Sequence, residues 1–247
     1  MPSSSPRPRP LHRPRKRFGQ HFLHDPRVQG KIVEAIHPGK DDRIVEIGPG
    51  EGALTRLLLQ QTLNVETIEI DRDLAARLTE EGVKVHEADA LEFDFSVFPH
   101  GVRIVGNLPY NISTPLLFHL ARYADRVRDM HFMLQLEVVE RMVAKHSTPE
   151  YGRLSVALQA RFRMEKLFNV SKGAFRPPPK VESAIVRLAP RDKILLIDED
   201  LLRRAFSARR KTLRNALPGI DFQALKIDSG LRPENLSPED YARISAG

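Results

Sequence analysis

The chain has 247 residues, a formal net charge of +7 and no cysteine. This length allows one large domain and one small one, and the absence of cysteine excludes disulfides, thiolate nucleophiles and cysteine-ligated zinc and fits the reducing cytoplasm. The basic surplus favours a polyanionic partner, and because no apolar run approaches about 18 residues, we expect no transmembrane helix and no membrane partner.

The first 17 residues predict a disordered basic arm. Residues 1–17 contain five prolines, six Arg or Lys and no acid. Proline disrupts helices, and so little apolar surface cannot offset the entropy lost on ordering. The composition overlaps that of a transit peptide, but the prolines argue against the amphipathic helix that such a peptide needs. We therefore interpret the segment as an arm that contacts RNA.

Predicted strands and helices alternate from Phe18 to Pro190, which predicts an α/β domain with a doubly wound parallel sheet. The strands are predicted at 43–47, 64–70, 83–87, 102–105, 130–136, 163–170 and 181–188. The helices are predicted at 53–60, 74–80, 113–123, 137–145 and 152–160.

The pattern changes after Pro190, where a strongly basic helix is predicted over 198–217. Further helical turns are predicted near Phe222 and Glu239. These features predict a small helical domain, residues 191–247, that follows a larger domain, residues 18–190.

A glycine turn at 48–52 follows the first predicted strand and opens a helix. Such a turn lets a ligand approach the backbone, and the helix N-terminus favours negative groups. Glu69, at the end of the second strand, can bind a ribose diol, and Asp89, at the end of the third, can accept a hydrogen bond from an adenine amino group. The same pattern satisfies a loose dinucleotide fingerprint, so these residues alone do not separate NAD from S-adenosylmethionine. Asp71 is better interpreted as a helix N-cap, and a turn residue is the other interpretation of Asp89.

The segment Asn107-Leu108-Pro109-Tyr110 follows the fourth predicted strand, at the edge where α/β sheets bind ligands. An adenine amine is a poor nucleophile because its lone pair is delocalised into the ring. An Asn oxygen and a nearby backbone carbonyl can accept hydrogen bonds from its two N–H groups. A tyrosine ring offers a face on which a flipped base can stack. A methyl group on a sulfonium needs no strong base, so positioning the two reactants is the main task.

Five motifs in this order resemble the ribosomal RNA adenine dimethyltransferase family, and specifically its bacterial small-subunit branch. The motifs are Phe18-Gly19-Gln20-His21-Phe22-Leu23, Glu46-Ile47-Gly48-Pro49-Gly50, Asn107-Leu108-Pro109-Tyr110-Asn111-Ile112-Ser113, Phe175-Arg176-Pro177-Pro178-Pro179-Lys180-Val181 and Phe206-Ser207-Ala208-Arg209-Arg210-Lys211. The resemblance runs from Phe18 to about Asn215. The family usually has Asn where this chain has His21.

The resemblance implies a Rossmann-like, class I methyltransferase with a small all-helical C-terminal domain and S-adenosylmethionine as cofactor, without a metal. It implies cofactor contacts at His21, Leu23, Gly48, Glu69, Asp89 and Asn107. It implies a catalytic set of Asn107, Leu108, Tyr110 and Phe175, with the target adenine between the rings of Tyr110 and Phe175. The reaction implied is the placing of two methyl groups on each of two adjacent adenines near the 3′ end of small-subunit rRNA. The partner would be this RNA in an immature ribosomal particle, and we expect a monomer.

The predicted C-terminal helix is the candidate RNA surface. It carries six cations within twelve residues and no acid: Arg203, Arg204, Arg209, Arg210, Lys211 and Arg214. Four apolar residues lie close to one face of a single helix: Leu202, Phe206, Leu213 and Leu217. The cations would then face outward, and because their charge is of one sign, phosphate contact is favoured over salt bridges.

Three other functions remain open at this point. An antibiotic-resistance-type methyltransferase acting on large-subunit RNA would share the cofactor and amine motifs and would differ in the C-terminal region. A nucleotide-binding dehydrogenase would need a hydride acceptor site and has no reason to carry the motif at 107–110. A non-catalytic assembly factor would not need the set Glu69, Asp89, Asn107 and Tyr110, although an assembly role is compatible with catalysis.

Overall fold

The computed structural model describes residues 21–246, and the predicted basic arm, residues 1–17, lies outside this range. The strands are β1 (Phe22–Leu23), β2 (Ile44–Ile47), β3 (Val65–Glu69), β4 (Lys84–Glu87), β5 (Val102–Asn107), β6 (Val127–Gln135), β7 (Phe162–Val170), β8 (Phe175–Arg176) and β9 (Ser183–Pro190). The helices are α1 (Pro26–Ile36), α2 (Ala53–Leu59), α3 (Arg72–Glu80), α4 (Ser113–Ala121), α5 (Leu136–Val143), α6 (Arg153–Gln159), α7 (Glu199–Ser207), α8 (Leu213–Ala216) and α9 (Pro238–Ala246).

Seven strands form the central sheet in the order β4-β3-β2-β5-β6-β9-β7. The α/β prediction is confirmed, and the pairs from β4 to β6 are parallel. The prediction of an all-parallel sheet is wrong at one end, because β9 runs antiparallel to both β6 and β7. A parallel neighbour needs a crossover connection, usually an α-helix. The link between β7 and β9 contains only a short 3₁₀ turn, Lys172–Ala174, and the two-residue strand β8, so the chain returns in the opposite direction.

Each face of the central sheet is covered by a separate apolar cluster. Helices α1 and α2 pack on one face, where Ile32 and Leu58 meet Val105 and Met133. Helices α4, α5 and α6 pack on the other face with the alternate strand residues, such as Ile104. The inner strands are therefore buried on both faces, which explains their nearly continuous apolar sequences.

The C-terminal helices form a third apolar cluster, which also includes Tyr151 and Val156. The predicted single helix over 198–217 is wrong, because α7 ends at Ser207 and the short α8 begins only at Leu213. The backbone N–H of Leu213 donates to the carbonyl of Leu231 at 2.8 Å instead of continuing a helical ladder. The tail near Phe222 forms a turn without an α-helix, whereas the expected helix near Glu239 is present as α9. Among the helices of residues 21–246, none is long and apolar enough to cross a membrane.

Candidate active site

The candidate site is a pocket at the carboxyl ends of the parallel strands. Strand β2 lies between β3 and β5, so the connections that leave β2 and β5 depart in opposite directions and open a crevice between them. The structure brings these sequence-predicted residues to the pocket: His21, Leu23, Gly48, Glu69, Asp89, Asn107, Leu108 and Tyr110. The sheet edge therefore gathers groups that are far apart in the sequence.

The glycine turn after β2 forms the floor of this pocket. Gly48 and Gly50 have φ values of +66° and +57°, a left-handed conformation that side chains other than glycine rarely adopt. A Cβ atom at Gly50 would also lie 3.0 Å from the ring of Phe22 in β1. Glycine at this position thus allows both the turn and the close approach of β1.

Glu69 is a buried carboxylate that is held in place by backbone donors. Its Oε2 accepts a hydrogen bond from the N–H of Gly50 at 3.2 Å, and its Oε1 accepts from the N–H of Asp71 at 2.9 Å. Burial raises the pKa of Glu69 above its usual value. Each carboxylate oxygen can accept more than one hydrogen bond, so this group can still receive a pair of ligand hydroxyls.

Asp71 and Asp89 begin the turns that follow β3 and β4. Asp71 caps α3 by accepting from the N–H of Asp73, which confirms the predicted N-cap. Asp89 is half-buried, and its Oδ1 accepts from the N–H of Leu91 at 2.9 Å. This bond orients the carboxylate in the pocket wall, so the turn interpretation and the ligand interpretation of Asp89 are compatible.

Asn107 ends β5 with its amide in a defined orientation. Its Nδ2 donates a hydrogen bond to the backbone carbonyl of His21 at 2.8 Å. Because this bond uses the donor end, the Oδ1 atom is left as the acceptor for a ligand. Leu108 follows as a buried residue whose N–H donates to the carbonyl of Met133 at 3.2 Å. The loop after β5 is thereby fixed both to the residue that precedes β1 and to β6.

Tyr110 presents an aromatic ring in the same loop. Its hydroxyl shares a hydrogen bond of 2.6 Å with the Oγ of Ser183 at the start of β9. Burial raises the pKa of Tyr110, so the hydroxyl stays protonated at neutral pH. A fixed, uncharged ring of this kind suits the stacking of a base.

His21 borders the pocket, and its contacts are with protein groups. Its Nδ1 donates to the carbonyl of Pro177 at 2.8 Å, since a carbonyl can only accept. Its ring centroid lies 5.5 Å from that of Tyr110, with 31° between the ring planes. The side chain thus supports Tyr110, while the backbone carbonyl of His21 orients Asn107.

Phe175 is not among the residues that line the pocket. It is 2% exposed and packs in the apolar cluster beneath α1, together with Leu23 and Ile32. Its partner in the β1–β8 ladder is Leu23, and this pairing fixes its position in the cluster. The sandwich of the target adenine between Phe175 and Tyr110 therefore stays a prediction, with Phe175 lying in the cluster beside the pocket.

Two buried polar residues of the pocket escaped the sequence prediction. Glu46, in β2, accepts a hydrogen bond from the Oγ1 of Thr55 at 2.6 Å, and burial raises its pKa to about 7. His131, in β6, also lines the pocket. The available signal was an ionisable residue with apolar neighbours on both sides at each of these positions, because ionisable groups are rarely buried without a reason.

The six cations of the C-terminal region have unequal surroundings. Arg203 pairs with Asp200 at 2.8 Å, and Arg209 pairs with Glu234 while also donating to the carbonyl of Pro149. The other four are exposed and have no carboxylate partner within residues 21–246: Arg204, Arg210, Lys211 and Arg214. Those four offer the freest charges for a polyanion.

Comparison with protein families and curated sequences gives a consistent result. Residues 11–246 match the family model described as ribosomal RNA adenine dimethylase. The chain is 56% identical to the ribosomal RNA small subunit methyltransferase A of Aromatoleum aromaticum, over 95% of this chain and 94% of that protein. It is 55% identical to the protein of the same name from Nitrosospira multiformis, over 95% of this chain and 96% of that protein.

Two solved structures are similar over most of the chain. A dimethyladenosine transferase from Plasmodium falciparum is 29% identical, with a TM-score of 0.79, covering 91% of this chain and 96% of that one. The 23S rRNA methyltransferase ErmE is 27% identical, with a TM-score of 0.70, covering 91% of this chain and 98% of that one. Both likenesses extend beyond the central sheet, because they include most of the C-terminal helices.

Proposed function

The chain belongs to the ribosomal RNA adenine dimethylase family, and from this premise we propose that it dimethylates the N6 amines of two adjacent adenines near the 3′ end of small-subunit rRNA with S-adenosylmethionine. The Rossmann-like methyltransferase fold expected from the sequence is confirmed by the two similar structures. The observation that carries the proposal is the orientation of Asn107, whose acceptor oxygen is left for an amine in the same pocket as Glu69 and Asp89.

The order of the strands along the pocket matches the order of the parts of S-adenosylmethionine. Asp89 after β4 would bind the adenine amino group, and Glu69 after β3 would bind the ribose hydroxyls. Gly48, His21 and Leu23 would then border the methionine part. The left-handed glycines and the fixed Glu69 carboxylate support this placement, because they create room for a ligand and acceptors for its hydroxyls. When bound, the cofactor supplies a methyl group on a cationic sulfonium.

The loop after β5 would hold the target adenine. Asn107 Oδ1 and a nearby backbone carbonyl would accept hydrogen bonds from the two N–H groups of the amine. These two bonds would direct the nitrogen lone pair toward the methyl group. Tyr110 would stack on the flipped base, with its ring held by Ser183 and His21. Leu108 would keep this loop in register through its bond to Met133. The rate enhancement would come mainly from fixing the two reactants in line.

The small-subunit target is favoured over the large-subunit alternative by the similarity of the whole chain. The relatives named for the small subunit are about 55% identical over 95% of the chain, whereas the 23S enzyme is 27% identical. Both matches include most of the C-terminal region, so the difference in identity, and not in coverage, favours the small subunit. A dehydrogenase does not fit this family. The basic surface supports RNA contact, and we propose that the substrate is an immature small subunit bound by a monomer.

A single substitution tests the proposal. Asn107→Ala should lower the yield of dimethyladenosine in immature small subunits by at least about a hundredfold, because a misplaced reactant loses the benefit of positioning. Labelled S-adenosylmethionine and mass spectrometry measure the yield, and calorimetry should show that cofactor binding is largely retained. Asn169→Ala, an exposed position on β7, is the matched control. Near-normal dimethyladenosine from Asn107→Ala would refute the assignment.

A further inference from the structure

His131 is a buried histidine of the pocket that the proposed function does not use. Its side chain is 1% exposed, and it lines the pocket beside Met133 and Ile185. Within residues 21–246, neither of its ring nitrogens has a hydrogen-bond partner. A buried polar group without a partner costs free energy, so its presence in a pocket wall points to a partner that arrives with the ligand.

The nearest carboxylate does not satisfy the ring. The Nδ1 of His131 lies 3.9 Å from the Oδ1 of Asp129, which is beyond hydrogen-bond distance. Asp129 is already engaged by Arg103, which donates from Nε to Oδ1 at 2.7 Å and from Nη2 to Oδ2 at 2.9 Å. Burial lowers the pKa of His131 to about 4, so the ring is neutral at working pH and has one donor and one acceptor to offer.

The position of His131 indicates which part of a ligand it can reach. Glu46 of β2 pairs with Val105 of β5, and Val105 pairs with His131 of β6, so the three side chains lie in one row on one face of the sheet. The same face is covered by α1 and β1, which contribute Ile32 and Leu23 to the pocket. His131 is therefore on the opposite side of the β2–β5 crevice from the residues that follow β3 and β4.

An extended cofactor must cross this crevice. With its adenine at Asp89 and its ribose at Glu69, its remaining part points toward β5 and β6. That part carries one carboxylate and one ammonium group, which match the N–H donor and the nitrogen acceptor of a neutral imidazole. Resting on the proposed function, we propose that His131 binds the amino-acid end of S-adenosylmethionine and of its demethylated product, S-adenosylhomocysteine.

A truncated ligand distinguishes this role from a structural one. S-adenosylhomocysteine carries the amino-acid end, whereas 5′-methylthioadenosine has the same nucleoside and a thioether but lacks that end. Because hydrogen bonds to charged groups are strong, His131→Phe should lower the affinity for S-adenosylhomocysteine about ten- to a hundredfold. The same variant should change the affinity for 5′-methylthioadenosine by about twofold or less, and His131→Gln should recover part of the loss.

The experiment is calorimetric titration of both ligands into the full-length chain and its variants. Asn169→Ala is the matched control, because Asn169 is exposed on β7 and does not line the pocket. It should leave both affinities unchanged. His131→Ala is titrated in parallel, so that a folding defect of the larger phenylalanine cannot hide the preference between the two ligands.

The outcomes separate the hypotheses. An equal loss of affinity for both ligands would show that His131 only supports the structure of the sheet. Unchanged affinity for S-adenosylhomocysteine would show that His131 does not contact the ligand. Either result overturns the inference. Failure of the wild-type chain to bind S-adenosylhomocysteine would overturn the proposed function itself. A selective loss of S-adenosylhomocysteine with partial recovery in His131→Gln supports the inference.

Discussion

Strands β5 and β6 carry buried polar side chains toward both of their ends, and the two ends are built differently. Toward the amino end, Arg103 and Asp129 share two hydrogen bonds of 2.7 and 2.9 Å. Nearer the carboxyl end, Asn107 uses only its amide donor on the protein, and His131, at the middle of β6, has no hydrogen-bond partner among the described residues. Polar groups at the first end are therefore satisfied by the protein, whereas those at the second keep capacity for a ligand.

The satisfied end also supports the wall of the pocket. Arg103 donates from Nη2 to the carbonyl of Ile36 at 2.6 Å and from Nη1 to that of His37 at 3.3 Å. These carbonyls lie at the C-terminal end of α1, where helices leave acceptors without partners. Because α1 covers one side of the pocket, the paired end holds in place the helix that shapes the unpaired end.

Removal of a charge from the paired end should have the largest effect. Asp129→Ala removes two hydrogen bonds from the buried Arg103, which keeps Asp42, 2.8 Å away, as its remaining carboxylate, and we expect a loss of about 3 kcal/mol in the free energy of unfolding. Urea denaturation measures this loss. Asp192→Ala, which removes the exposed ion pair with Arg163, is the control and should change it by about 1 kcal/mol or less. Similar losses in both variants would contradict the contrast between the two ends.

Removal of the Glu46 carboxylate from the pocket should raise stability, in contrast to removal of Asp129. Burial raises the pKa of Glu46 from its ordinary 4.5 to about 7, so the folded state holds the proton more tightly than the unfolded state. Stability is then lost as the pH rises from about 4.5 to 7, and at pH 8 the charged form costs about 3 kcal/mol.

Glu46→Gln should therefore be more stable than the wild type by about 3 kcal/mol at pH 8 and about equally stable near pH 4.5. The glutamine retains an oxygen for the hydroxyl of Thr55. Urea denaturation at both pH values measures the difference. A pH-independent difference between the two chains would show that Glu46 does not carry this cost.

The stacking position should produce a smaller and selective effect. Tyr110→Ala removes the ring that we propose stacks on the target base, an interaction worth about 1–3 kcal/mol, whereas Tyr110→Phe keeps the ring and loses only the bond to Ser183. We expect methyl transfer to fall much further in the alanine variant. Single-turnover assays with immature subunits compare the two. An equal fall in both variants would indicate that the hydroxyl, and not the ring, is required.

Each cation of the basic surface should have the smallest effect, here on subunit binding. The C-terminal helices show the same contrast between groups that are satisfied by the protein and groups that are left for a ligand. Arg210→Gln and Lys211→Gln change free cations, so each lost phosphate contact should flatten the log–log salt dependence of subunit binding by about 0.7–0.9. Arg209→Gln should lower the free energy of unfolding and leave the salt dependence of subunit binding nearly unchanged, because Arg209 already binds Glu234 and Pro149. An unchanged slope in the Arg210 and Lys211 variants would place the RNA surface elsewhere.

The sequence was sufficient to predict the sheet edge at which the candidate pocket lies. Parallel strands end at one edge, so Glu69, Asp89 and Asn107 could be expected to meet once their strands were recognised. Helix α1 was not predicted, although Asp25 before Pro26 is a helix-start signal and the helix begins there. The edge residues thus followed from local patterns alone.

Other features depend on contacts between distant segments. The break after Ser207 is stabilised by the bond between Leu213 and Leu231, and the engagement of Arg209 depends on Glu234. Strands of two residues, such as β8, are too short to produce a periodic signal. Such features follow from tertiary packing, which can override local preference.

The short β1–β8 ladder has a consequence for how the pocket forms and opens. It joins Phe22–Leu23 to Phe175–Arg176 through two residue pairs, so the wall that includes Leu23 cannot close until most of the chain has been synthesised. Closing so long a loop has an entropic cost, and so few pairs give little local protection. We expect the amide hydrogens of this ladder to exchange with solvent faster than those of β2 and β5, and to slow down when the cofactor binds.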